Sequence, residues 1–382
     1  MSAFPRRDGS AEPSEVRAPG VLGGYPYPYR SNSLNLFRLL LAALVLVAHS
    51  FYIVGVGDGP HIQGENLGGW AVAGFFVLSG FLITRSRLRT RPGDYLLHRI
   101  ARIFPAFVVC LVATAFIFAP VAALIERGNL DGFLSTPVSP LQYIWSNITL
   151  YIESYSIGTT LESVPYQGVW NGSLWTLFYE FCCYIIVWLL GGLALFRRNA
   201  ALIGGVYLLS LLAWILTPVV ERLGLDGSFL LLAKLAPFFL GGAFVYFVVE
   251  RSGINHLLGL GSLVAAVLLI ALVPRWGGQA SAPLLAYGLL WLSTIIRQPS
   301  WIARNDVSYG FYIYAWPVQQ MLVLVGGAAL GLGLYMVTAA AVTFVLAWLS
   351  WVLVERRAMA WARPERDRPQ LDATVPGATP RV

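Results

Sequence analysis

The stretch LLLAALVLVAHSFYIVG, residues 39–55, is apolar along nearly its whole length but contains one titratable side chain, His49. About 20 consecutive apolar residues cross ~30 Å of hydrocarbon as an α-helix, and this stretch with the residues before it is long enough. The whole chain has the same character: of its 382 residues 57% are hydrophobic and 12% charged, and the mean hydropathy is +0.67. This composition excludes an ordinary water-soluble domain and predicts a membrane protein.

Apolar segments of similar length recur along the chain and predict an all-α, polytopic membrane protein. About ten transmembrane helices are expected, near residues 34–54, 67–85, 101–125, 173–196, 200–220, 228–249, 256–274, 282–297, 309–327 and 331–354. The segment 139–152 is short enough to be interfacial or re-entrant. We expect the membrane domain to cover 31–357, with a long extracytoplasmic loop over 126–172, a disordered cytoplasmic tail over 1–30 and a second cytoplasmic tail over 358–382.

Basic residues are distributed unevenly between the two sides of the predicted membrane domain. With the N-terminus inside, 21 of the 26 basic residues fall in cytoplasmic loops and tails, and three, Arg127, Arg222 and Arg275, fall on the opposite side. The positive-inside rule describes this asymmetry, which predicts that both termini are cytoplasmic. The net charge of +7 is therefore interpreted as a consequence of topology, and no nucleic-acid partner is expected.

Titratable residues inside the predicted spans are candidate functional residues, because a charge there costs ~2.5–3.5 kcal/mol on insertion scales. Arg38 and His49 lie eleven residues apart in the first span, on nearly the same helical face. Glu180 in the fourth span and Lys234 in the sixth are expected at about the depth of His49. His49 is thus a candidate general base and Glu180 a carboxylate that orients its ring. The structural alternatives are a histidine bonded to a neighbouring helix and a Glu180–Lys234 ion pair.

Two arginines begin the third span, Arg99 and Arg102, and their spacing places them on one helical face. Such a pair can bind phosphate, although cytoplasmic anchoring of the span explains it equally well. In the second span Ser79 lies among glycines, a pattern that fits either close helix packing or a substrate channel. The other histidines are interpreted as solvated residues: His61, His98 and His256. No metal site is expected, since the cysteines fall inside predicted spans.

Short motifs that contain these residues resemble, in their order, the integral-membrane acyltransferase family 3, whose members O-acetylate bacterial surface glycans and some secreted macrolides. The resemblance covers about residues 31–357. The motifs are R-x10-H (Arg38, His49), FFVLSGFLI (Phe75 to Ile83), RxxR with a following proline (Arg99, Arg102, Pro105), SLWTLxxE (Ser173, Leu174, Trp175, Glu180), a basic residue before FF-L-G (Lys234), SYxxYxxxxPV (Ser308, Tyr309, Tyr312, Pro317, Val318) and E-R (Glu355, Arg356). Many members carry a histidine before the W-P of the ninth span, where this chain has Ala315, and many carry a fused extracytoplasmic hydrolase-like domain.

The resemblance implies a multi-pass protein of the bacterial cytoplasmic membrane that transfers an acyl group from cytoplasmic acyl-CoA to a hydroxyl group. The expected acceptor is an envelope polysaccharide, a glycolipid or a lipid-linked glycan. Acetyl is the first choice for the acyl group. Succinyl is the second, because Lys234 would be a natural partner for its extra carboxylate.

The same resemblance assigns roles to individual residues. The expected catalytic residues are His49 and Glu180. The expected acyl-CoA-binding residues are Arg38, Arg99 and Arg102, from which a glycine-lined channel would lead the pantetheine arm to the histidine. The expected substrate-binding residues are Lys234, Ser79, Trp175 and Tyr309.

Other functions stay open at this point. A transporter or flippase of an envelope polysaccharide or lipid intermediate also needs many spans and intramembrane charges, but it would not consume acyl-CoA. An assembly subunit of an envelope-polymer machine would tolerate replacement of His49 and Glu180. Within the enzyme class, a macrolide-type small molecule is an alternative acceptor.

Overall fold

The computed structural model describes residues 23–362 except 136, 223 and 225, and most of these residues are helical. A short hairpin precedes α2, with strands β1 (His61–Ile62) and β2 (Glu65–Asn66). The helices are α1 (Leu34–Val54), α2 (Leu67–Arg89), α3 (Pro92–Ala113), α4 (Ala119–Arg127), α5 (Pro140–Asn147), α6 (Thr176–Leu190), α7 (Ala194–Arg198), α8 (Ala200–Ile215), α9 (Thr217–Arg222), α10 (Gly227–Ser252), α11 (His256–Leu272), α12 (Gly277–Ala280), α13 (Ala282–Ile295), α14 (Ser300–Arg304), α15 (Ser308–Leu324), α16 (Leu332–Ser350) and α17 (Arg356–Trp361).

Five helical stretches in the described part of the chain are long and apolar enough to cross a membrane: Leu34–Val54, Leu67–Arg89, Pro92–Arg127, Gly227–Ser252 and Leu332–Trp361. π-helical turns join the helices within the third and the fifth of these stretches. Shorter apolar helices, α6, α8, α11 and α13, fall on further predicted spans, and α15 with 17 residues falls on the ninth. The chain is therefore a multi-pass helical membrane protein. The count of about ten spans and the cytoplasmic position of both termini stay predictions.

Helices α2 and α10 are largely buried and pack tightly against each other. They approach so closely that a Cβ at Gly80 would collide with the backbone oxygen of Phe239, and one at Gly242 with that of Val77. Small residues at such a contact let two backbones touch, which favours association of helices in hydrocarbon. The glycines of the second span therefore serve close packing at this point. Around this pair α1 packs against α2 and α15, while α8 and α13 pack on α10.

The segment before α1 is folded from residue 23 onward, so the predicted disorder of residues 1–30 is wrong for 23–30; residues 1–22 lie outside the described part. Tyr25 exchanges two backbone hydrogen bonds with Ile254 at 2.9 and 2.7 Å. Two further tyrosines continue the attachment: Tyr27 bonds Ser293 at 2.7 Å, and Tyr29 donates to Glu250 at 2.5 Å. These contacts tie the segment to α10 and α13. Beyond α17, residues 363–382 also lie outside the described part.

The long connection between α4 and α6 is compact. Its only helix among the described residues is α5, whose eight residues extend about 12 Å, too short to cross a membrane. Trp170 and Asn171 are fully enclosed, and Asn171 donates to the Tyr143 hydroxyl of α5 at 2.6 Å. Trp316 of α15 donates to the Val169 carbonyl at 2.8 Å. The connection is thereby fixed over the end of the bundle where His49 lies.

Candidate functional site

Two cavities lie at opposite ends of the helix α1. The first, of about 390 Å³, is lined by Arg38, Arg99 and Arg102, together with His98 and Asp306, and we call it the arginine cavity. The second, of about 410 Å³, is lined by His49 and Lys234 among others, and we call it the histidine cavity. The prediction that the three arginines act together is supported in one respect, because they share one cavity.

Carboxylates compensate two of the three arginines. Asp306 Oδ2 contacts Arg38 Nη1 at 2.5 Å and Arg102 Nη2 at 2.6 Å, and Glu355 Oε2 contacts Arg102 Nη1 at 3.1 Å. Ser308 supports Asp306 by donating its hydroxyl to Oδ1 at 2.5 Å. Burial raises the pKa of Asp306, but the two guanidinium groups outweigh it and lower the pKa from its usual 3.8 to about 2. Arg38 and Arg102 are thus members of a closed ion network.

Arg99 is the arginine of this cavity that keeps its hydrogen-bonding capacity. Within the described residues it forms no hydrogen bond or ion pair, its Nε is buried without a partner, and its guanidinium lies 5.9 Å from the Tyr184 ring centre. His98 beside it also has a buried Nε2 without a partner. The interpretation of His98 as a solvated residue is therefore wrong, because it is half-buried in the cavity wall. A guanidinium and an imidazole with free donors are suited to binding a phosphate group.

His49 lies in the wall of the histidine cavity, in the second half of α1, and only 9% of its surface is exposed. Its ring meets the edge of Trp316 with centroids 4.8 Å apart and Tyr52 at 5.5 Å. Nδ1 is buried without a hydrogen-bond partner, and no described residue bonds to either ring nitrogen. The alternative of a structural histidine bonded to a neighbouring helix is therefore wrong. A buried ring with unused hydrogen-bonding capacity is unusual enough to indicate a functional role.

Glu180 does not contact His49, so the predicted orienting hydrogen bond is wrong. Its Oε1 accepts hydrogen bonds from Ser79 and Tyr184, both at 2.7 Å. It lines a third, narrow cavity of about 40 Å³, which we call the waist. Its carboxylate therefore lies deeper in the bundle than the imidazole.

The waist lies between the two larger cavities. It shares Arg38 with the arginine cavity, and it shares Val72, Thr176 and Tyr312 with the histidine cavity. The three cavities therefore adjoin one another in a series from the arginine end to the histidine end of the bundle. Glu180 with its hydrogen-bond donor Ser79 lies at the junction of the waist and the arginine cavity.

Lys234 is paired with Glu65, whose Oε2 lies 2.5 Å from Nζ. The alternative of a Glu180–Lys234 ion pair is therefore wrong. Both residues of the actual pair line the histidine cavity and also a neighbouring cavity of about 330 Å³. The pair thus forms part of the wall that these two cavities share.

The two aromatic candidates have different surroundings. Trp175 lines the histidine cavity, as expected of a substrate-binding residue. Tyr309 lines the waist, but its hydroxyl donates to the Ile103 carbonyl at 2.8 Å and its ring lies 5.6 Å from the Arg102 guanidinium. It is therefore placed to support the ion network as well as the waist.

Sequence reasoning missed Asp306 and Glu65. Both lie in short segments outside the apolar runs, where an acidic residue is ordinary. One signal was available for Asp306, since it lies two residues before a helix and Ser308, a position at which a carboxylate can bond the first turn. No sequence signal pointed to the partner of Lys234, because the pair joins residues that are far apart in the chain.

The sequence of the chain is similar to those of known acyltransferases. Residues 31–352 match the family model described as an acyltransferase domain, and the chain belongs to acyltransferase family 3. It is 29% identical over 349 residues to an O-acetyl transferase of Shigella phage Sf6, covering 88% of this chain and 98% of that protein. It is 25% identical over 359 residues to nodulation protein 10 of Rhizobium leguminosarum bv. viciae, covering 86% and 93%. No solved structure matches. The family expected from the motifs is confirmed.

Proposed function

We propose that the protein is a membrane O-acyltransferase of the bacterial cytoplasmic membrane that moves an acyl group, acetyl by first choice, from cytoplasmic acyl-CoA to a hydroxyl of an envelope glycan or glycolipid. The observation that carries the proposal is the series of three cavities between Arg99 and His49. A cavity suited to phosphate and a cavity with an unengaged imidazole adjoin through the waist, which supports transfer from a long, charged donor. The name of the phage relative, O-acetyl transferase, supports the choice of acetyl.

The donor would bind with its phosphates in the arginine cavity. Arg38 and Arg102 have carboxylate partners, so the free donors on Arg99 and His98 would make the principal phosphate contacts. The three arginines still outnumber the two carboxylates of the network, which keeps the cavity attractive to an anion. The pantetheine arm, which is thin and uncharged, would extend through the waist, whose walls would have to move apart to admit it because the space is about 40 Å³. The thioester would then lie beside His49.

The chemistry would be general base catalysis by His49. Its Nε2 would take the proton of the acceptor hydroxyl while the oxygen attacks the thioester carbonyl carbon. The tetrahedral intermediate would collapse with cleavage of the carbon–sulfur bond, and the thiolate of CoA would receive the proton from the imidazolium. A positioned general base contributes typically 10²–10⁴-fold to a rate. The enclosed ring next to Trp316 would exclude water, which would otherwise hydrolyse the thioester.

Glu180 would act at the waist. Its carboxylate lines the waist and holds Ser79 and Tyr184 of the arginine cavity through hydrogen bonds, so it would fix the walls where these two cavities meet. The acceptor would enter the histidine cavity from the end covered by the connection between α4 and α6, where Tyr166 and Trp175 form part of the wall.

The proposal can be tested in cells that lack the gene. They are complemented with the wild-type chain, with His49→Gln or with His256→Gln, and the envelope glycans are analysed by mass spectrometry. His256 is an exposed histidine bonded to Trp291, so its replacement is a matched control. We expect the acyl modification with the wild type and His256→Gln and its absence with His49→Gln. Acylation that is independent of the gene would contradict the proposal. Loss of glycan export without a change in acylation would favour a transporter.

A further inference from the structure

The Glu65–Lys234 ion pair controls the charge of the histidine cavity. Lys234 is the only lysine of the chain, and its Nζ lies 2.5 Å from Glu65 Oε2. Both side chains are about two-thirds buried, with 31% and 28% of their surfaces exposed. At this separation and burial the two charges largely cancel at any third group in the cavity.

Besides this pair, the side chains of the cavity that can carry a charge near neutral pH are Asp58 and the imidazoles of His49 and His61. Asp58 is exposed at its edge, and no described residue forms an ion pair with it. Apart from Lys234, no described lysine or arginine lines the cavity. An anionic group in the histidine cavity therefore meets two carboxylates and one ammonium that is already paired.

Local structure holds Glu65 in this position. It lies in the hairpin strand β2, immediately before α2, and its side chain lies along the first turn of that helix. A Cβ at Gly69 would overlap the Glu65 side chain, so glycine at this position makes room for it. On the other side, Gln279 donates to the backbone oxygen of Lys234 at 3.3 Å. The pair is thus fixed from both elements.

We propose that Glu65 is a specificity-determining residue: by neutralising Lys234 it restricts the histidine cavity to uncharged acyl groups such as acetyl and excludes dicarboxylic ones such as succinyl. The inference rests on the proposed function, because it concerns the acyl group that reaches His49. It reverses the expectation that Lys234 would bind the carboxylate of a succinyl group. A carboxylate placed in a partly buried cavity without a free cation loses hydration and gains no partner, so its binding is disfavoured.

The test uses the purified full-length protein in lipid vesicles, with glycan from cells lacking the gene as acceptor. Acetyl-CoA and succinyl-CoA are supplied together at equal concentration. Because both donors share the CoA part, differences in the arginine cavity cancel. The ratio of succinyl to acetyl transferred is read by mass spectrometry. The wild type is expected to transfer almost only acetyl.

Glu65→Gln frees the ammonium of Lys234 and should raise the ratio at least about tenfold, which corresponds to about 1.4 kcal/mol. Lys234→Met removes the cation and should not raise the ratio. The double variant Glu65→Lys with Lys234→Glu restores a neutral pair and should return the ratio towards the wild-type value. Glu250→Gln is a matched control, since it breaks the ion pair with Arg89 at the other end of α10. It should leave the ratio unchanged.

Asp58→Asn separates the role of the pair from that of total charge. It also removes one negative charge from the cavity, but from an exposed position that water screens. The ratio should rise by much less than with Glu65→Gln; an equal rise would overturn the assignment to the pair.

The remaining outcomes are also decisive. Wild-type transfer of succinyl at a rate close to that of acetyl would overturn the inference, as would an unchanged ratio in Glu65→Gln while acetyl transfer persists. In those cases the proposed function stands. If the wild type transfers neither group from CoA, both proposals fail. Should Glu65→Gln not fold, Glu65→Ala tests the same prediction, because it also frees the ammonium of Lys234 and should raise the ratio; an unchanged ratio in Glu65→Ala while acetyl transfer persists would overturn the inference.

Discussion

The polar side chains at the two ends of the bundle have opposite surroundings. In the arginine cavity the carboxylates of Asp306 and Glu355 hold two of the three guanidinium groups at distances between 2.5 and 3.1 Å. At the other end the His49 ring has no hydrogen-bond partner among the described residues. One end is a compensated network with a single free arginine, and the other keeps its principal polar side chain unengaged.

This difference indicates that the arginine network serves stability and that the histidine serves a reaction. A buried ion network contributes chiefly by preventing an uncompensated charge, so removal of one member is strongly destabilising. A buried imidazole without partners contributes little beyond packing and has a hydrogen-bonding cost, which indicates that it is retained for a reaction. Substitutions at the two ends should therefore affect different measurements.

The largest effect is expected for His49→Gln. Loss of the general base should lower the acyl-transfer rate by about 10²–10⁴-fold. The melting temperature should stay within a few degrees of the wild-type value, since no hydrogen bond is lost. Transfer of labelled acetyl from acetyl-CoA, together with thermal unfolding in detergent, measures both quantities. A large fall in melting temperature with normal transfer would reverse the comparison between the two ends.

The second effect concerns the arginine end. Asp306→Asn leaves Arg38 without its carboxylate and removes one of the two partners of Arg102. We expect a loss of roughly 3 kcal/mol in the free energy of unfolding, as for other broken buried pairs. Thermal or denaturant unfolding of the purified protein measures it. Asp94→Asn, at an acidic residue of the first turn of α3 that forms no ion pair among the described residues, is the control. Equal stability of the two variants would contradict the closed network.

A smaller effect is expected when two arginines of the same cavity are compared. Arg99→Gln should raise the KM for acyl-CoA about tenfold while the melting temperature stays unchanged, because Arg99 has no carboxylate partner. Arg102→Gln should lower the melting temperature as well, because it breaks contacts with Asp306 and Glu355. The exposed Arg91 serves as a control for the loss of one positive charge. Identical behaviour of the Arg99 and Arg102 variants would remove the distinction between free and paired arginines.

The smallest effect is the pH dependence due to Asp306. Because its pKa is lowered from 3.8 to about 2 in the folded state, its contribution to stability is fully present above about pH 4 and is lost as the pH falls towards 2. The effect is measured as the difference in melting temperature between the wild type and Asp306→Asn. It should shrink on acidification below pH 4. A difference that grows at low pH would have the wrong sign for this network.

Much of the architecture was predictable because apolar runs of sufficient length have few alternative structures. The same logic singled out His49, Glu180 and Lys234 as candidates, since a titratable residue inside such a run is conspicuous in the sequence. The three arginines were expected on the same side of the membrane, and they line one cavity, while their role in binding stays a prediction. Family membership followed from the order of the motifs, and the comparison over residues 31–352 confirms it.

The contacts between individual side chains were less predictable, because they depend on distances through space. Depth was counted along each span separately, which does not fix the distance between side chains on different helices; Glu180 bonds Ser79 and Tyr184 and does not bond His49. Lys234 has its partner in a two-stranded hairpin that no apolar pattern marks. Tyrosines at residues 25, 27 and 29 resembled a disordered tail in composition, yet their hydroxyl and backbone groups bond to α10 and α13. Local composition cannot reveal such contacts.

The narrowness of the waist bears on the permeability of the protein to ions. A space of about 40 Å³ accommodates one or two water molecules and no hydrated ion. Hydrated sodium, potassium and chloride ions are therefore too large for the waist in this conformation. The barrier of the membrane to these ions would thus be kept while the donor site is empty.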